Sequence, residues 1–383
     1  SVGAGIMVSQ YFGARQRESL SRAIGCCITM TFLSCVLVMV IAPFLITPLL
    51  RLINTPDEII DWCHDYLMML FMGIAGCAFY NILGGILRGL GDSVSALIYL
   101  IVATVLNIVL DIYFVASLGL GVPGVALATV IAQAISAILS FLKLRRKTDC
   151  FDMKARYLKP DGKSTRELFR LGLPSGVTQA IFSLSIVIVQ SLTNSFGAMC
   201  IATNVIVMRI DGFVMMPAFS FGSAMTTFAG QNIGAGQLDR VQDGAKRGTR
   251  VAMATSAVIT LLILFFGKYL MALFTNTEEL IDQSYHMMMI LGVGYIAMEV
   301  TQCLQGVMRG AGDTMSPMWL SMISTVAIRV PLAYIMTGLT RSPEHPQGQF
   351  YMMFVSLLVT WLIGACLTAI VYRRGRWKKK ALI

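Results

Sequence analysis

The chain is a series of long apolar runs separated by short polar stretches. From the second run onward each is 18 residues or longer, close to the roughly 20 residues with which an α-helix crosses a hydrocarbon core. Runs of this length exclude a membrane β-barrel, whose strands are about 9–11 residues of alternating polarity. We predict one partial span followed by ten complete ones: 1–12, 23–50, 62–87, 94–118, 125–142, 171–195, 200–229, 251–274, 285–308, 317–339 and 350–372.

Two polar side chains interrupt the predicted span 94–118. Asn107 and Asp111 are four residues apart, so they project from the same face of a helix. A charged Asp at the centre of a bilayer costs about 2.5–3.5 kcal/mol on insertion scales. We therefore expect Asp111 to face a protein cavity and to exchange a cation there. The alternative is a structural Asp111 that neighbouring hydroxyl or backbone groups satisfy.

Composition supports an integral membrane protein. Of the 383 residues 56 % are hydrophobic and only 13 % are charged, and the mean hydropathy is +0.73. Soluble domains carry about 25 % charged residues. The net charge of +10 lies mainly in short connections and tails, as membrane topology requires, so it does not indicate a nucleic-acid partner. The nine cysteines form no C-x-x-C pair, so neither a zinc site nor a disulfide framework is indicated, and we expect no cofactor.

The basic residues concentrate on one side of the membrane when successive loops are assigned to alternate sides. One side carries 25 of the 30 Lys and Arg residues, whereas the opposite loops carry only Arg51, Lys268 and Arg341. The positive-inside rule places the rich side in the cytoplasm. The sequence therefore predicts a multi-pass protein of the cell membrane, the inner membrane in a bacterium with two. Its linker and C-terminus would be cytoplasmic.

The same pattern predicts the domain organisation. Residues 1–142 form an N-terminal lobe, and residues 143–170, with ten Lys or Arg and almost no apolar run, form a solvated cytoplasmic linker. Residues 171–372 form a C-terminal lobe, and residues 373–383 form a cytoplasmic basic tail.

An internal repeat relates the two lobes at a constant offset of 221 residues. Three pairs of motifs match without gaps: Gln10-x-x-Gly13-Ala14 with Gln231-x-x-Gly234-Ala235, Glu58-x-Ile60-Asp61 with Glu279-x-Ile281-Asp282, and Arg88-Gly-x-Gly-Asp92 with Arg309-Gly-x-Gly-Asp313. Both copies have the same sidedness, so the repeat is parallel, about an axis along the membrane normal. The offset places the start of the first copy about 55 residues before Ser1. We expect the missing part to contain the first helix and most of the second, for twelve spans in the intact protein.

These motifs resemble those of the multidrug and toxic compound extrusion (MATE) family, in its bacterial form. The resemblance rests on the two Arg-Gly-x-Gly-Asp turns, on Gly172-Leu173-Pro174, and on Gly230-Gln231-Asn232-x-Gly234-Ala235. It implies an all-α membrane protein of two six-helix bundles, related by a parallel pseudo-two-fold repeat and arranged in a V around a central cavity. It also implies export of cationic or amphiphilic compounds driven by inward Na⁺ or H⁺.

The resemblance further implies a cation site in the first lobe. One branch of the family uses an Asn and an Asp four apart on the fifth helix and a Thr on the sixth, and Asn107, Asp111 and Thr129 occupy matching positions. A further Asp of that site would fall in the missing first helix. Another branch uses a Glu on the seventh helix, but residues 171–195 contain no acidic residue. The residues leave the choice between Na⁺ and H⁺ open.

Four further polar residues lie within predicted spans and are candidates for a substrate cavity. Asp211 could instead have a structural role, with its charge neutralised by a group on another helix. Arg209, two residues away, does not share its helix face and is not placed to neutralise it. Arg329 precedes Pro331, so a kink or an ion pair is an equal explanation. Glu299 could attract a cationic drug, and Gln179 could donate a hydrogen bond in the cavity.

The leading hypothesis is a secondary antiporter that acts as a monomer in the lipid bilayer and exports small organic cations or amphiphilic drugs. The alternative is a lipid-linked saccharide flippase of the same superfamily, which would need a more cationic cavity for a pyrophosphate. An enzyme is not indicated, because the chain has no H-E-x-x-H or G-x-S-x-G motif.

Overall fold

The computed structural model describes residues 1–53, 55–147, 149–343 and 345–382. This part of the chain is 85 % helical and contains no strand. The α-helices, numbered in chain order, are α1 Val2–Gly13, α2 Arg17–Leu52, α3 Asp57–Met72, α4 Ile74–Gly89, α5 Ser93–Ile112, α6 Gly121–Arg145, α7 Gly162–Asn194, α8 Ala198–Gly234, α9 Leu238–Ala272, α10 Glu278–Gly310, α11 Met315–Met322, α12 Arg329–Leu339 and α13 Tyr351–Arg373. A π-helical segment, Tyr113–Ser117, extends α5, and another, Ile323–Ile328, joins α11 to α12. Short 3₁₀ turns cover Ala155–Leu158 and Arg376–Lys379.

Within the described ranges, nine helices are long and apolar enough to cross a membrane, and the α3–α4 pair makes a tenth. The prediction of an all-α membrane protein is therefore confirmed. The span predicted over 62–87 is present as a bent pair of helices, because α3 and α4 meet at Gly73 with a bend of 48°. A side chain could not fit at this break, since a Cβ on Gly73 would lie 2.2 Å from Val130 Cγ2 of α6.

The chain divides into two compact units, residues 1–172 and residues 173–382. In the first unit α4 and α5 pack on α6, and α1 packs on α2 and α4. In the second unit α10 is the central helix and packs against α8, α9 and α13. The side chains of Met288, Leu291 and Tyr295 on α10 are almost fully buried because this helix has neighbours on several sides.

The repeated Arg-Gly-x-Gly-Asp motif forms the same turn in both units. Asp92 Oδ1 accepts a hydrogen bond from the Ser95 N–H at 3.1 Å, and Asp313 Oδ1 accepts one from the Ser316 N–H at 3.2 Å. Each aspartate thus caps the N-terminus of the following helix. The glycine before each aspartate has a φ of 85° and 90°, respectively, a conformation that glycine adopts without strain. The repeat seen in the sequence is therefore also a repeat of local geometry.

Asp92 carries an additional interaction, an ion pair of 3.0 Å with Lys147 beyond the end of α6. Partial burial alone would raise the pKa of Asp92, but the hydrogen bonds from Ser95 and the charge of Lys147 outweigh it. The pKa of Asp92 is therefore lowered, and its folded state favours the carboxylate.

Residues 149–161, which we call the connecting segment, pack against α2 more closely than a solvated linker would. Phe151 and Tyr157 are buried, with exposed fractions of 2 % and 7 %. The backbone of Tyr157 crosses α2 at Gly25, where an added Cβ would lie only 2.0 Å from the Tyr157 carbonyl oxygen. These two aromatic side chains help to attach a segment that carries three basic and three acidic residues.

Polar contacts reinforce this attachment. Arg17 Nη2 lies 2.9 Å from Asp152 Oδ1, and the hydrogen bond from Arg17 lowers the pKa of that carboxyl. The Asp152 N–H donates to Ser21 Oγ at 2.8 Å, and Thr29 Oγ1 donates to the Leu158 carbonyl at 2.6 Å. The connecting segment therefore belongs structurally to the first unit.

Candidate functional site

Asn107 and Thr129, predicted to share a cation site, are in contact in the structure. The antiparallel helices α5 and α6 bring the Asn107 Nδ2 group within 3.3 Å of Thr129 Oγ1. The Thr129 hydroxyl donates its own proton to the Val125 carbonyl at 3.1 Å, so it can accept the amide hydrogen. The Asn107 amide oxygen takes no part in this hydrogen bond.

Asp111 lies one helical turn beyond Asn107, near the end of α5. Its Oδ1 atom is buried and has no hydrogen-bond partner among the described residues, although the residue as a whole is half-buried. A buried carboxylate oxygen without a donor is costly, and such atoms mark places where water, an ion or a proton completes the coordination. No described group donates a hydrogen bond to this oxygen atom, and the role of Asp111 stays a prediction.

The three side chains together offer oxygen ligands of the kind that hard cations prefer: a carboxylate, a carboxamide oxygen and a hydroxyl. No group of three or more His, Cys, Asp and Glu residues suited to a transition metal occurs in the described part of the chain. A single carboxylate with neutral oxygens suits a monovalent ion or a proton better than a divalent metal.

The backbone changes its helical pitch directly after Asp111. Residues Tyr113–Ser117 form a π-helical turn, in which the Leu118 N–H donates to the Tyr113 carbonyl at 3.2 Å. Such turns are rare and are often found at functional sites. Here the wider turn ends the regular α-helical hydrogen bonding of α5 next to the carboxylate.

Asp211 and Arg329, two of the four predicted cavity residues, both lie in the second unit, on α8 and α12 respectively. Their side chains interact electrostatically across α8 and the first turn of α12, and both residues are half-buried. The Tyr295 hydroxyl on α10 donates a hydrogen bond to Met288 Sδ at 3.5 Å, and Tyr295 also interacts electrostatically with the Asp211 carboxylate. A second π-helical segment, Ile323–Ile328, directly precedes Arg329.

The other two predicted cavity residues lie apart from this pair. Glu299 is buried in α10, 2 % exposed, and its Oε2 atom has no hydrogen-bond partner among the described residues. The Glu299 carboxylate interacts electrostatically with the thiol of Cys303, one turn further along α10. Thr249 of α9 lies beside that thiol. Gln179 lies on an exposed face of α7, and its carbonyl accepts a hydrogen bond from Ser183.

The sequence analysis did not identify Tyr295 or Thr249. Both were missed because an uncharged Tyr or Thr within an apolar span is more often a packing residue. The internal repeat could have drawn attention to both residues. The residues 221 positions before Tyr295 and Thr249 are Ile74 and Ile28, so these two polar groups are particular to the second copy.

Comparison with known proteins identifies the family. The MatE family model matches residues 1–113 and 174–335, which is most of the chain. The chain is 31 % identical over 346 residues to the probable multidrug resistance protein YoeA of Bacillus subtilis, covering 88 % of this chain and 75 % of that protein. It is 23 % identical to the probable multidrug resistance protein NorM of Thermotoga maritima, covering 100 % and 82 % of the two chains.

Solved structures show the same fold. An outward-facing multidrug resistance MATE family transporter of the MOP superfamily superimposes with a TM-score of 0.91 at 22 % identity, covering 99 % of this chain and 84 % of that one. A crystal structure of MATE in complex with MaL6 gives the same TM-score and coverage. The matched family model, the relatives and the shared fold agree with the motifs and helices described above: the chain belongs to the MatE family and is a transporter, not an enzyme.

Proposed function

We propose that this transporter is a secondary antiporter that exports cationic or amphiphilic compounds in exchange for inward Na⁺ or H⁺. The export part is supported by the relatives, which are named multidrug resistance proteins. The exchange part is supported by the unpartnered Oδ1 atom of Asp111, the observation that carries the proposal.

In this proposal Asp111, Asn107 and Thr129 hold the coupling cation. The carboxylate supplies the charge, and Asn107 and Thr129, joined by their hydrogen bond, supply neutral oxygens at a fixed spacing. When the cation leaves, the Asp111 carboxylate loses its partner, which raises the free energy of that state. A conformation that exposes the site to the cation on the other side is then favoured. The inward gradient of that cation supplies the free energy for export.

The experiment replaces Asp111 by Asn in the protein reconstituted into vesicles. A fluorescent organic cation is loaded, and a Na⁺ gradient and a pH gradient are imposed separately. We expect the wild type to export the dye under one of the two gradients and Asp111→Asn to lose gradient-driven export. Gradient-driven export that persists at the wild-type rate in Asp111→Asn would refute the assignment.

A matched control removes one carboxylate elsewhere. Asp65 is exposed in α3, and among the described residues its carboxylate pairs with the neighbouring His64 at 3.3 Å. Asp65→Asn should therefore leave export unchanged. Because Asp111→Asn removes a buried charge that has no partner, this variant should unfold at the same temperature as the wild type or at a higher one. Lost export together with a lower unfolding temperature would indicate a structural role for Asp111 instead.

A further inference from the structure

After α13 the predicted basic tail folds back onto the second unit. Gly375 has a φ of 69°, which allows the chain to reverse, and the 3₁₀ turn Arg376–Lys379 follows it. Trp377 in this turn is 1 % exposed, and its indole N–H donates to the Tyr372 carbonyl at 2.9 Å. The rings of Tyr372 and Trp377 are stacked, with their centres 5.2 Å apart. We call residues 373–380 the C-terminal turn.

Trp377 fixes the C-terminal turn to the core of the second unit. It belongs to a buried apolar cluster that includes Val241 and Ala245 of α9 and Met308 of α10. Burial of an indole removes a large apolar area from water, so the docked position is favoured over a free tail. Lys378 Nζ lies 5.8 Å from the centre of the Trp377 ring, so the indole also positions one of the neighbouring charges.

The first unit contains an equivalent element. The 3₁₀ turn Ala155–Leu158 of the connecting segment lies 221 residues before Arg376–Lys379, the offset that relates the two copies elsewhere. It also carries one buried aromatic residue, Tyr157, which packs against α2 at Gly25. Helix α2 corresponds to α9 at the same offset. Docking of a turn through one aromatic residue is therefore a structural property of both copies.

The two turns differ in charge, although both are docked. Residues 152–159 contain three basic residues and one acidic residue, Asp152, which pairs with Arg17. The C-terminal turn occupies the equivalent positions and contains no acidic residue. Its six basic residues are all exposed, and none of them forms an ion pair with a described residue: Arg373, Arg374, Arg376, Lys378, Lys379 and Lys380. Because the first copy docks without an excess of charge, docking does not explain these six charges.

The position of the charges indicates their partner. Arg373 is the last residue of α13, a candidate membrane span, so the six charges follow directly after that span. Clusters of about four to eight Lys and Arg at such positions bind the headgroups of anionic lipids. Paired Tyr and Trp side chains next to the end of a span are typical of the membrane interface. An anionic lipid surface therefore complements the C-terminal turn in both charge and location.

We propose that the C-terminal turn is a binding surface for anionic phospholipids and that Trp377 holds its charges in place. The lipid phosphate groups accept hydrogen bonds from the arginine and lysine side chains. A docked turn loses less conformational freedom on binding than a flexible tail of the same sequence, so it binds more tightly. This inference goes beyond the proposed export function and does not depend on it.

The test measures lipid binding to the purified protein by native mass spectrometry. The protein is titrated with phosphatidylglycerol or with phosphatidylcholine of the same acyl chains, so the two lipids differ only in the headgroup. The test variant combines Lys378→Gln, Lys379→Gln and Lys380→Gln. We expect it to bind phosphatidylglycerol about tenfold more weakly than the wild type and phosphatidylcholine equally well. Replacing the same three lysines by Arg keeps the charge and should keep the wild-type affinity.

The matched control combines Lys154→Gln, Lys159→Gln and Lys163→Gln, three exposed lysines of the first unit. It removes the same number of charges from the same predicted side of the membrane and should not change phosphatidylglycerol binding. Trp377→Ala keeps every charge but releases the C-terminal turn from the core. It should weaken phosphatidylglycerol binding, because the free tail loses more conformational freedom when it binds.

Three outcomes would overturn this inference. Unchanged phosphatidylglycerol binding in the C-terminal triple variant, or equal weakening in the control, would mean that these charges serve only to orient the chain during membrane insertion. Wild-type affinity in Trp377→Ala would exclude a role for docking. Displacement of phosphatidylglycerol by inorganic phosphate at equal concentration would indicate a site for a soluble anion. These measurements use no cation gradient, so failure of the export assay and failure of this inference are distinguishable.

Discussion

The contact between Asn107 and Thr129 gives the sharpest test of how the first unit binds its cation. Thr129→Val keeps the shape of the side chain but removes the hydroxyl that accepts the 3.3 Å hydrogen bond from Asn107. The variant also removes the bond from Thr129 to the Val125 carbonyl. That carbonyl belongs to the regular hydrogen bonding of α6, so the helix itself should be little affected.

The size of the effect follows from these contacts. A neutral hydrogen bond contributes about 1 kcal/mol net, and a half-buried donor left without an acceptor costs little more because water can reach it. One oxygen ligand of the proposed cation site is also lost. We expect the concentration of Na⁺ or H⁺ that half-activates export to rise about five- to tenfold, or about 1–1.4 kcal/mol.

The assay measures dye export from vesicles over a range of cation concentrations. Thr129→Ser keeps the hydroxyl and should remain within about twofold of the wild type. The double variant Asn107→Ala with Thr129→Val should cost less than the sum of the two single changes, because they remove one shared hydrogen bond. An unchanged half-activation in Thr129→Val, or an equal shift in Thr129→Ser, would show that the Thr129 hydroxyl does not serve the cation.

Two further predictions concern the folding of the first unit. Gly25→Val should force the connecting segment off α2, because the new side chain meets the Tyr157 carbonyl. Trypsin should then cleave that segment faster than in the wild type. The control Gly176→Ala has nothing within 4 Å of its new Cβ and should not change the cleavage rate. Asp92 has a lowered pKa in the folded state, so its stabilising effect is complete above the unfolded value of about 3.9 and is lost as the pH falls through the lower folded value. Asp92→Asn, which removes the charge that pairs with Lys147, should therefore reduce the drop in unfolding temperature between pH 6 and pH 3, and an unchanged drop would contradict the assignment.

Much of the fold could be predicted from the sequence because apolar runs of sufficient length leave few alternatives in a membrane. The duplication was equally visible, since turns such as the one at Asp92 need the same residues at the same spacing in each copy. The bend at Gly73 could not be predicted, because no local pattern encodes the close approach of Val130 on α6 to this position. Burial of Tyr157 against Gly25 is another contact between distant parts of the chain that no local pattern encodes.

The candidate sites show the same limit. Asn107 and Asp111 are four apart in the sequence, so helical periodicity alone places them together. Thr129 was included through the family resemblance, and the structure adds the hydrogen bond that joins it to Asn107. The electrostatic interaction of Asp211 with Arg329 and Tyr295 could not be inferred, because three separate helices supply these residues and no periodicity relates those helices.

The equivalent turns at Asp92 and Asp313, which follow α4 and α10, have a consequence for the origin of the protein. Six candidate spans separate them, and an even number of crossings would place both turns on the same side of a membrane. A gene for a single copy would therefore insert in one fixed orientation, and two such products could assemble side by side without either reversing its topology. Fusion of two copies then needed only a connecting loop on one face, and afterwards each half was free to acquire different charged residues.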